Sequence, residues 1–152
     1  MSVPVILYDG VCSFCNASVR FVLQHERAPG VLRFAPLQSA FGRAALTRHG
    51  IAEDDLSSMR VLVDDKLLDA STAALFIAGY LRAPWRWLRD LSIVPRPLRD
   101  AVYRFIGRRR YRWWGRTDTC QPIPAASRNR FFTVDDEIHL SETATGTRID
   151  YR

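Results

Sequence analysis

The sequence predicts an α/β fold in which short strands alternate with helices. Three observations predict it. Two apolar, β-rich runs stop at turn-forming residues, the stretches after them carry apolar residues every three or four positions, and a later pair of short runs is separated by a tight turn. The chain has 152 residues, of which 47% are hydrophobic and 25% charged. One compact domain of this size can bury its own core without a disulfide framework or a metal.

The first half of the chain supplies the alternating elements. Asp9-Gly10 ends the first strand, Gly50 is expected to cap the second helix at its C-terminus, and Ser71 to cap the third helix at its N-terminus. The expected elements are a strand at 3–8, a helix at 12–26, a strand at 31–37, a helix at 41–48, strands at 59–63 and 67–69 around the turn 64–66, and a helix at 71–80. A long crossover gives parallel pairing and a tight turn gives antiparallel pairing. The order β-α-β-α-β-β-α is that of a thioredoxin-like, more closely glutaredoxin-like, core.

Beyond this core the sequence predicts a C-terminal helical extension. Two amphipathic helices are expected at 84–91 and 98–110, separated by Pro95-Arg96-Pro97, with a loop at 114–124 and a last strand at 130–134. We therefore expect a single domain at 1–132, made of a core at 3–81 and an Arg- and Trp-rich extension at 82–132. A mobile tail is expected at 133–152.

The positive charge of the chain is concentrated in the extension. The formal net charge is +6, but residues 82–130 alone hold thirteen Arg and three Asp. Among them, Arg108, Arg109, Arg110 and Arg112 precede two tryptophans. We favour a helix end whose aromatic rings pack onto the core beneath the arginine stems; the alternative is a surface for an anionic membrane or an acidic partner. Nucleic acid is the least favoured partner.

Neither a targeting segment nor a membrane span is expected. The start of the chain lacks the basic residues that precede the apolar part of a signal peptide, and no run reaches the roughly 18 apolar residues of a transmembrane helix. Three cysteines are too few for a disulfide-stapled secreted protein and are typical of a reducing compartment. We therefore expect a cytoplasmic protein.

Cys12 and Cys15 stand three positions apart where the first strand passes into the first helix. A helix N-terminus offers unpaired amide donors and a partial positive charge, which stabilise a thiolate, so Cys12 is expected to be the nucleophile. Cys15 lies one turn later on the same face and is expected to be the resolving thiol. The alternatives are two cysteines packed in a core, or half of a zinc site.

Zinc is disfavoured because a structural site needs four ligands. The missing ones would have to come from scattered residues: His25, His49, Cys120 and His139. No metal or cofactor is therefore expected. A role for Cys120 as a third redox-active thiol is also disfavoured, because a lone cysteine is more often simply buried.

An ordered set of motifs resembles the DCC thiol-disulfide oxidoreductases, a family named for an Asp, Cys, Cys signature. The signature here is Asp9-Gly10-Val11-Cys12-Ser13-Phe14-Cys15, and shorter matches follow at Phe34-Ala35-Pro36-Leu37-Gln38-Ser39, Ser71-Thr72-Ala73, Val102-Tyr103-Arg104, Arg110-Tyr111-Arg112, and Cys120 with Pro122. The similarity covers roughly residues 4–132. It implies a thioredoxin-like fold and disulfide oxidoreductase activity, with Asp9, Cys12 and Cys15 as the site.

Asp9 has two interpretations. Three residues before Cys12, its carboxylate could accept a proton from Cys15 while the mixed disulfide is resolved. It could equally cap the turn or the helix through a side-chain oxygen, as Asp often does before Gly. Both interpretations stay open on the sequence alone.

The expected partners are a disulfide-containing protein or a small thiol substrate, and an upstream reductant. Thioredoxin-like folds usually carry a cis-proline before the third strand that binds substrate backbone, whereas residues 56–60 contain no proline. This favours a narrower role in thiol exchange over general protein-disulfide reduction. Ser13-Phe14 brings no positive charge, so we expect a reducing couple. The alternative function is a non-catalytic module that docks an anionic surface through the Arg- and Trp-rich helices.

Overall fold

The computed structural model describes residues 3–52, 55, 57–116 and 125–131. Four short strands form one sheet: β1 (Val5–Tyr8), β2 (Arg33–Pro36), β3 (Arg60–Val63) and β4 (Lys66–Asp69). Their order across the sheet is β2-β1-β3-β4, with β1 parallel to β2, β3 antiparallel to β1, and β4 paired to β3 as a hairpin. The predicted thioredoxin-like topology is confirmed.

Helices cover both faces of the sheet. Successive side chains of a strand point to opposite faces, so Ile6 and Tyr8 pack with α1 (Ser13–His25) and α3 (Ala70–Ala78). Val5 and Leu7 lie in the second core, against α2 (Ala40–Arg48). Helix α2 ends at its C-cap His49, and Gly50 follows with φ +69°, the left-handed conformation that glycine adopts readily.

A fourth helix, α4 (Arg96–Trp114), packs on α1 and α3. It is longer than the predicted 98–110, because Pro97 fits the first turn of a helix and Gly115, at φ +75°, ends it. Side-chain hydrogen bonds attach it to the core, among them two in its first half. The Ser71 hydroxyl donates to Asp100, and the Met59 N–H donates to the Tyr103 hydroxyl at 3.0 Å. These contacts fix which face of α4 turns inward.

Two local predictions are wrong. Ser71 is not the N-cap of α3: the helix begins at Ala70 after Asp69, and the Ser71 hydroxyl bonds Asp100 instead. The segment predicted as a helix at 84–91 is a 3₁₀ helix, Trp85–Ile93, with no buried side chain. Most of the stability of an α-helix in a protein comes from packing an apolar face, so a segment that buries none has little reason to form an α-helix instead of a 3₁₀ helix.

The chain returns to the core near residue 131. A 3₁₀ helix spans Ala125–Arg130, and Phe131 stacks on Phe34 at 5.1 Å between ring centroids. Arg130 forms an ion pair with Glu26, which is fully buried. Of the strand predicted at 130–134, Arg130 lies in the 3₁₀ helix and Phe131 makes a single bridge to Phe34. Residues 132–134 and the predicted tail at 133–152 lie outside the described residues.

Candidate active site

Cys12 is the N-cap residue of α1, directly after the turn that follows β1. Its extended backbone, with φ −86° and ψ 117°, turns the sulfur over the first turn of the helix. There Sγ accepts a hydrogen bond from the backbone N–H of Cys15 at 3.4 Å. The sequence-predicted placement of a thiol at a helix N-terminus is therefore present in the structure.

Both thiols are free and buried: Cys12 is 0% exposed and Cys15 2%. The end of α4 lies over them. Arg116 forms an isolated β-bridge with Cys12, and the ring of Trp114 packs on Phe14 at 4.8 Å. The dithiol is thus shielded from water in this conformation, and the segment 114–116 adjoins it.

Burial raises the pKa of Cys15 from its ordinary value of 9.0 to about 12, with Arg110 opposing the shift and Cys12 and Asp9 adding to it. At neutral pH the Cys15 thiol therefore stays protonated. It needs a base before it can act as a nucleophile.

Asp9 makes the contacts of a turn cap, one of the two roles that the sequence left open. Its Oδ1 atom accepts a hydrogen bond from the Val11 N–H at 3.1 Å, which shapes the turn before Cys12. The same oxygen accepts from Gln38 Nε2 at 2.6 Å, while Gln38 Oε1 accepts from the Gly10 N–H. The other oxygen, Oδ2, accepts from the Tyr111 hydroxyl. Asp9 is thereby a buried carboxylate, and its negative charge contributes to raising the pKa of Cys15.

Arg110 is a buried residue beside the dithiol. The alternative of an anionic docking surface groups it with Arg108, Arg109 and Arg112, but it is only 4% exposed. Its Nη2 lies 3.6 Å from Asp9 Oδ2 and 3.1 Å from the Tyr111 hydroxyl. Arg110 therefore cannot contribute to an external surface. A buried positive charge acts on Cys15, although the dipeptide between the cysteines provides none.

One sequence signal could have found Arg110. Tyr103, Gly107 and Arg110 follow each other at spacings of four and three, which places them on one helix face. A face that contains a small residue, an aromatic hydroxyl and a cation is suited to pack against a polar site. Tyr111, next on the chain, has its pKa raised by burial and by its hydrogen bond to Asp9, so it remains a donor to that carboxylate.

Arg110 and Tyr111 also line a cleft of about 530 Å³. Its lining includes Ser57 and Ser58 from the loop before β3, and Arg60 from β3 itself. Arg60 is buried and ion-paired with Asp55 at 2.7 Å. The cleft adjoins the Asp9 network, because Arg110 and Tyr111 belong to both.

The remaining candidates lie away from the dithiol or outside the described residues. His25, in the last turn of α1, hydrogen-bonds the Phe21 carbonyl through Nδ1 at 2.9 Å and stacks on that ring. His49 bonds the carbonyl oxygens of Ala45 and Asp65. Cys120 and His139 lie outside the described residues. In the described part of the chain, no group of three or more His, Cys, Asp or Glu side chains is arranged to hold a metal ion.

The family model for DCC1-like thiol-disulfide oxidoreductases matches residues 6–116. The uncharacterized protein YuxK of Bacillus subtilis is 36% identical over 127 residues, which are 84% of this chain and 92% of that protein. A chloroplastic DCC family protein of Arabidopsis thaliana is 39% identical over 119 residues, covering 78% of this chain and 69% of that protein. No solved structure matches significantly.

Proposed function

This chain belongs to the DCC1-like thiol-disulfide oxidoreductase family, and we propose that Cys12 and Cys15 are its redox-active dithiol. The observation that carries the proposal is the position of the Cys12 sulfur at the N-terminus of α1, where the Cys15 N–H donates to it. A thiolate there is stabilised by the helix N-terminus and by that amide.

Cys12 starts the exchange. Its thiolate attacks one sulfur of a substrate disulfide, so that a Cys12–substrate disulfide forms and the substrate S–S bond breaks. The departing sulfur leaves as a thiolate and takes a proton from water. Because Cys12 is fully buried, a neighbouring part of the chain must move before a substrate sulfur can reach it, and the segment 114–116, bridged to Cys12 at Arg116, is the part we propose.

Cys15 completes the exchange. Its proton passes to the Asp9 carboxylate, the resulting thiolate attacks Cys12 Sγ, and the second substrate thiolate is released and protonated. The dithiol ends as a Cys12–Cys15 disulfide, and two electrons have passed to the substrate. Burial disfavours the Cys15 thiolate, and the positive charge of Arg110 lowers the pKa of Cys15 in opposition to it. The Tyr111 hydroxyl holds the Asp9 carboxylate in place by donating a hydrogen bond to it. An upstream dithiol reductant returns the pair to thiols.

The substrate we propose is a small or narrowly recognised disulfide. In addition to the missing proline at 56–60, the Met59 N–H is occupied by the Tyr103 hydroxyl at 3.0 Å. This amide stands just before β3 and is not free to pair with an extended substrate peptide. A reducing compartment, such as the cytoplasm, is the setting that suits such a dithiol.

Trapping with Cys15→Ser tests the function. Without a resolving thiol, Cys12 is expected to hold its substrate as a mixed disulfide that survives gel electrophoresis and disappears on reduction. Cys12→Ser is the matched control and is expected to trap nothing. Equal trapping by the two variants, or a wild-type chain that reduces neither a small disulfide nor insulin, would overturn the proposal.

Asp9→Asn tests the proton acceptor. Loss of a general base slows the resolving step by about 10²-fold or more, while the first attack by Cys12 proceeds. Rapid-quench alkylation would then show the mixed disulfide accumulating with a small substrate disulfide. Unchanged resolution in Asp9→Asn, in a variant shown to be folded by circular dichroism, would leave Asp9 a purely structural role.

A further inference from the structure

Helix α4 exposes an apolar stripe on the side that faces away from the core. Leu98, Val102, Phe105 and Trp113 follow each other at helical spacings, and each of them is between 50% and 58% exposed. We name these four residues and the arginines among and beside them, Arg108, Arg109 and Arg112, the outer face of α4. Large apolar side chains are usually exposed singly, whereas a continuous row of them marks an interaction site.

In the part of the chain that the structure describes, the arginines of the outer face have no acidic partner. Within the described ranges, no carboxylate forms an ion pair with Arg108, Arg109 or Arg112. The guanidinium of Arg109 instead lies over the rings of Phe105 at 4.3 Å and Trp113 at 5.9 Å. The only acidic residue of α4, Asp100, lies on the opposite side, bonded to Ser71. The outer face is therefore both apolar and cationic.

We propose that the outer face of α4 docks on a lipid bilayer that carries anionic headgroups. A helix lies in a membrane interface when leucine, phenylalanine and tryptophan enter the acyl boundary and arginines beside them reach the phosphates. Long arginine stems lie along the apolar layer and keep their charged ends in the headgroup region. The net positive charge complements an anionic leaflet.

Two other occupants fit the observations less well. A nucleic acid would use the arginines and the aromatic rings, but would leave Leu98 and Val102 exposed to water, because base stacking needs aromatic partners. A second copy of the chain would place the arginines of the two outer faces against each other without counterions. The bilayer is the occupant that matches both the apolar and the cationic residues.

The docking is distinct from the redox chemistry, because none of the outer-face residues belongs to the dithiol network. Among the described residues, no helix is long and apolar enough to cross a membrane. The association proposed here is accordingly a peripheral one, reversible and weakened by salt.

Flotation of the full chain with vesicles tests the proposal. We expect binding to vesicles of equal parts phosphatidylglycerol and phosphatidylcholine, a blue shift of the tryptophan emission, and release at high salt. Vesicles of phosphatidylcholine alone should bind at least about tenfold more weakly. Phe105→Ser with Trp113→Ser should abolish the blue shift, and Arg108→Gln with Arg112→Gln should weaken binding by about tenfold or more.

The control variant is Arg43→Gln with Arg48→Gln, which removes two exposed arginines from α2 on the opposite face of the sheet. It should bind the anionic vesicles as the wild type does. Circular dichroism should show every variant folded. No binding to either vesicle, salt-independent binding to both, an equal loss in the α2 control, tighter binding to duplex DNA than to vesicles, or self-association through Phe105 and Trp113 would each overturn the proposal.

Discussion

The inner face of α4 buries polar and charged groups, whereas its outer face leaves apolar ones in water. Tyr103 and Arg110 point inward, and each has partners: Met59 for the first, Asp9 and Tyr111 for the second. Phe105 and Trp113 point outward and are about half exposed. This is the reverse of the usual amphipathic helix. The polar groups that α4 turns inward are the ones that find partners in the site.

The largest effect expected from this contrast at neutral pH comes from Arg110→Met. The change leaves Asp9 buried without its nearest cation, although its hydrogen bonds from Val11, Gln38 and Tyr111 remain. Removing one partner of a buried ion pair costs about 3 kcal/mol of unfolding free energy. Urea unfolding at neutral pH measures it.

Arg109→Met is the matched control on the outer face, because Arg109 adjoins Arg110 in sequence but is exposed. Its effect should stay within about 0.5 kcal/mol. Similar losses in the two variants would remove the distinction between the faces.

The next effect concerns the stability of the folded chain at alkaline pH, which depends on the buried Cys15 thiol beneath α4. In the folded chain the pKa of Cys15 is raised from its ordinary value of 9.0 to about 12. The protonated thiol therefore contributes to the free energy of unfolding fully below about pH 9, and this contribution is lost as the pH rises towards 12. The unfolded chain, which deprotonates first, is then favoured by up to about 1.4 kcal/mol per pH unit.

Cys15→Ala lacks this contribution. Its unfolding free energy should fall less steeply than that of the wild type between about pH 9 and the folded pKa of about 12. Urea titrations at a series of pH values compare the two slopes. Parallel curves would mean that Cys15 is not perturbed by its burial.

A smaller effect is expected from Tyr103→Phe on the inner face. The variant removes the acceptor of the Met59 N–H and should cost about 1 kcal/mol of unfolding free energy. It also frees an amide before β3, so the rate of insulin reduction should rise relative to that of a small disulfide. The ratio of the two rates, measured on the same preparation, is the readout. An unchanged ratio would exclude Tyr103 as the group that blocks peptide pairing.

The smallest effect is expected from Val102→Ser on the outer face. More than half of this side chain is already in water, so unfolding free energy should change by less than about 0.5 kcal/mol. Differential scanning calorimetry in the absence of lipid checks it. A loss of several kcal/mol would show that this face is covered by protein in solution.

The strands and helices of the core could be predicted from the sequence, because the residues that begin and end them are local. Strand β1 stops at Asp9-Gly10, and α2 ends just before Gly50, both within a few residues of the deciding side chains. The cysteine pair is equally local, since the start of α1 fixes its geometry. Topology then followed from crossover length and turn length.

The helix spacing indicates the face on which Arg110 lies, but its partners could not be predicted from the sequence, because the members of the network are distant along the chain. Asp9 and Tyr111 are 102 residues apart and meet only once α4 has packed. Hydrophobic periodicity would also turn the wrong face of α4 inward, since Leu98 and Phe105 form the apolar row. The Ser71 hydroxyl was assigned to a cap for the same reason: its partner Asp100 is 29 residues away.

The chain packs back onto the core at residue 131, and this limits how far it can be truncated from the C-terminus. The family match ends at residue 116, and a truncation there would keep both cysteines and the whole of α4. It would also remove Phe131 from its place on Phe34 and leave Glu26 buried without Arg130. Such a fragment would expose an aromatic core surface and a stranded carboxylate, and should be recovered largely as aggregate. The shortest well-behaved fragment therefore extends through residue 131.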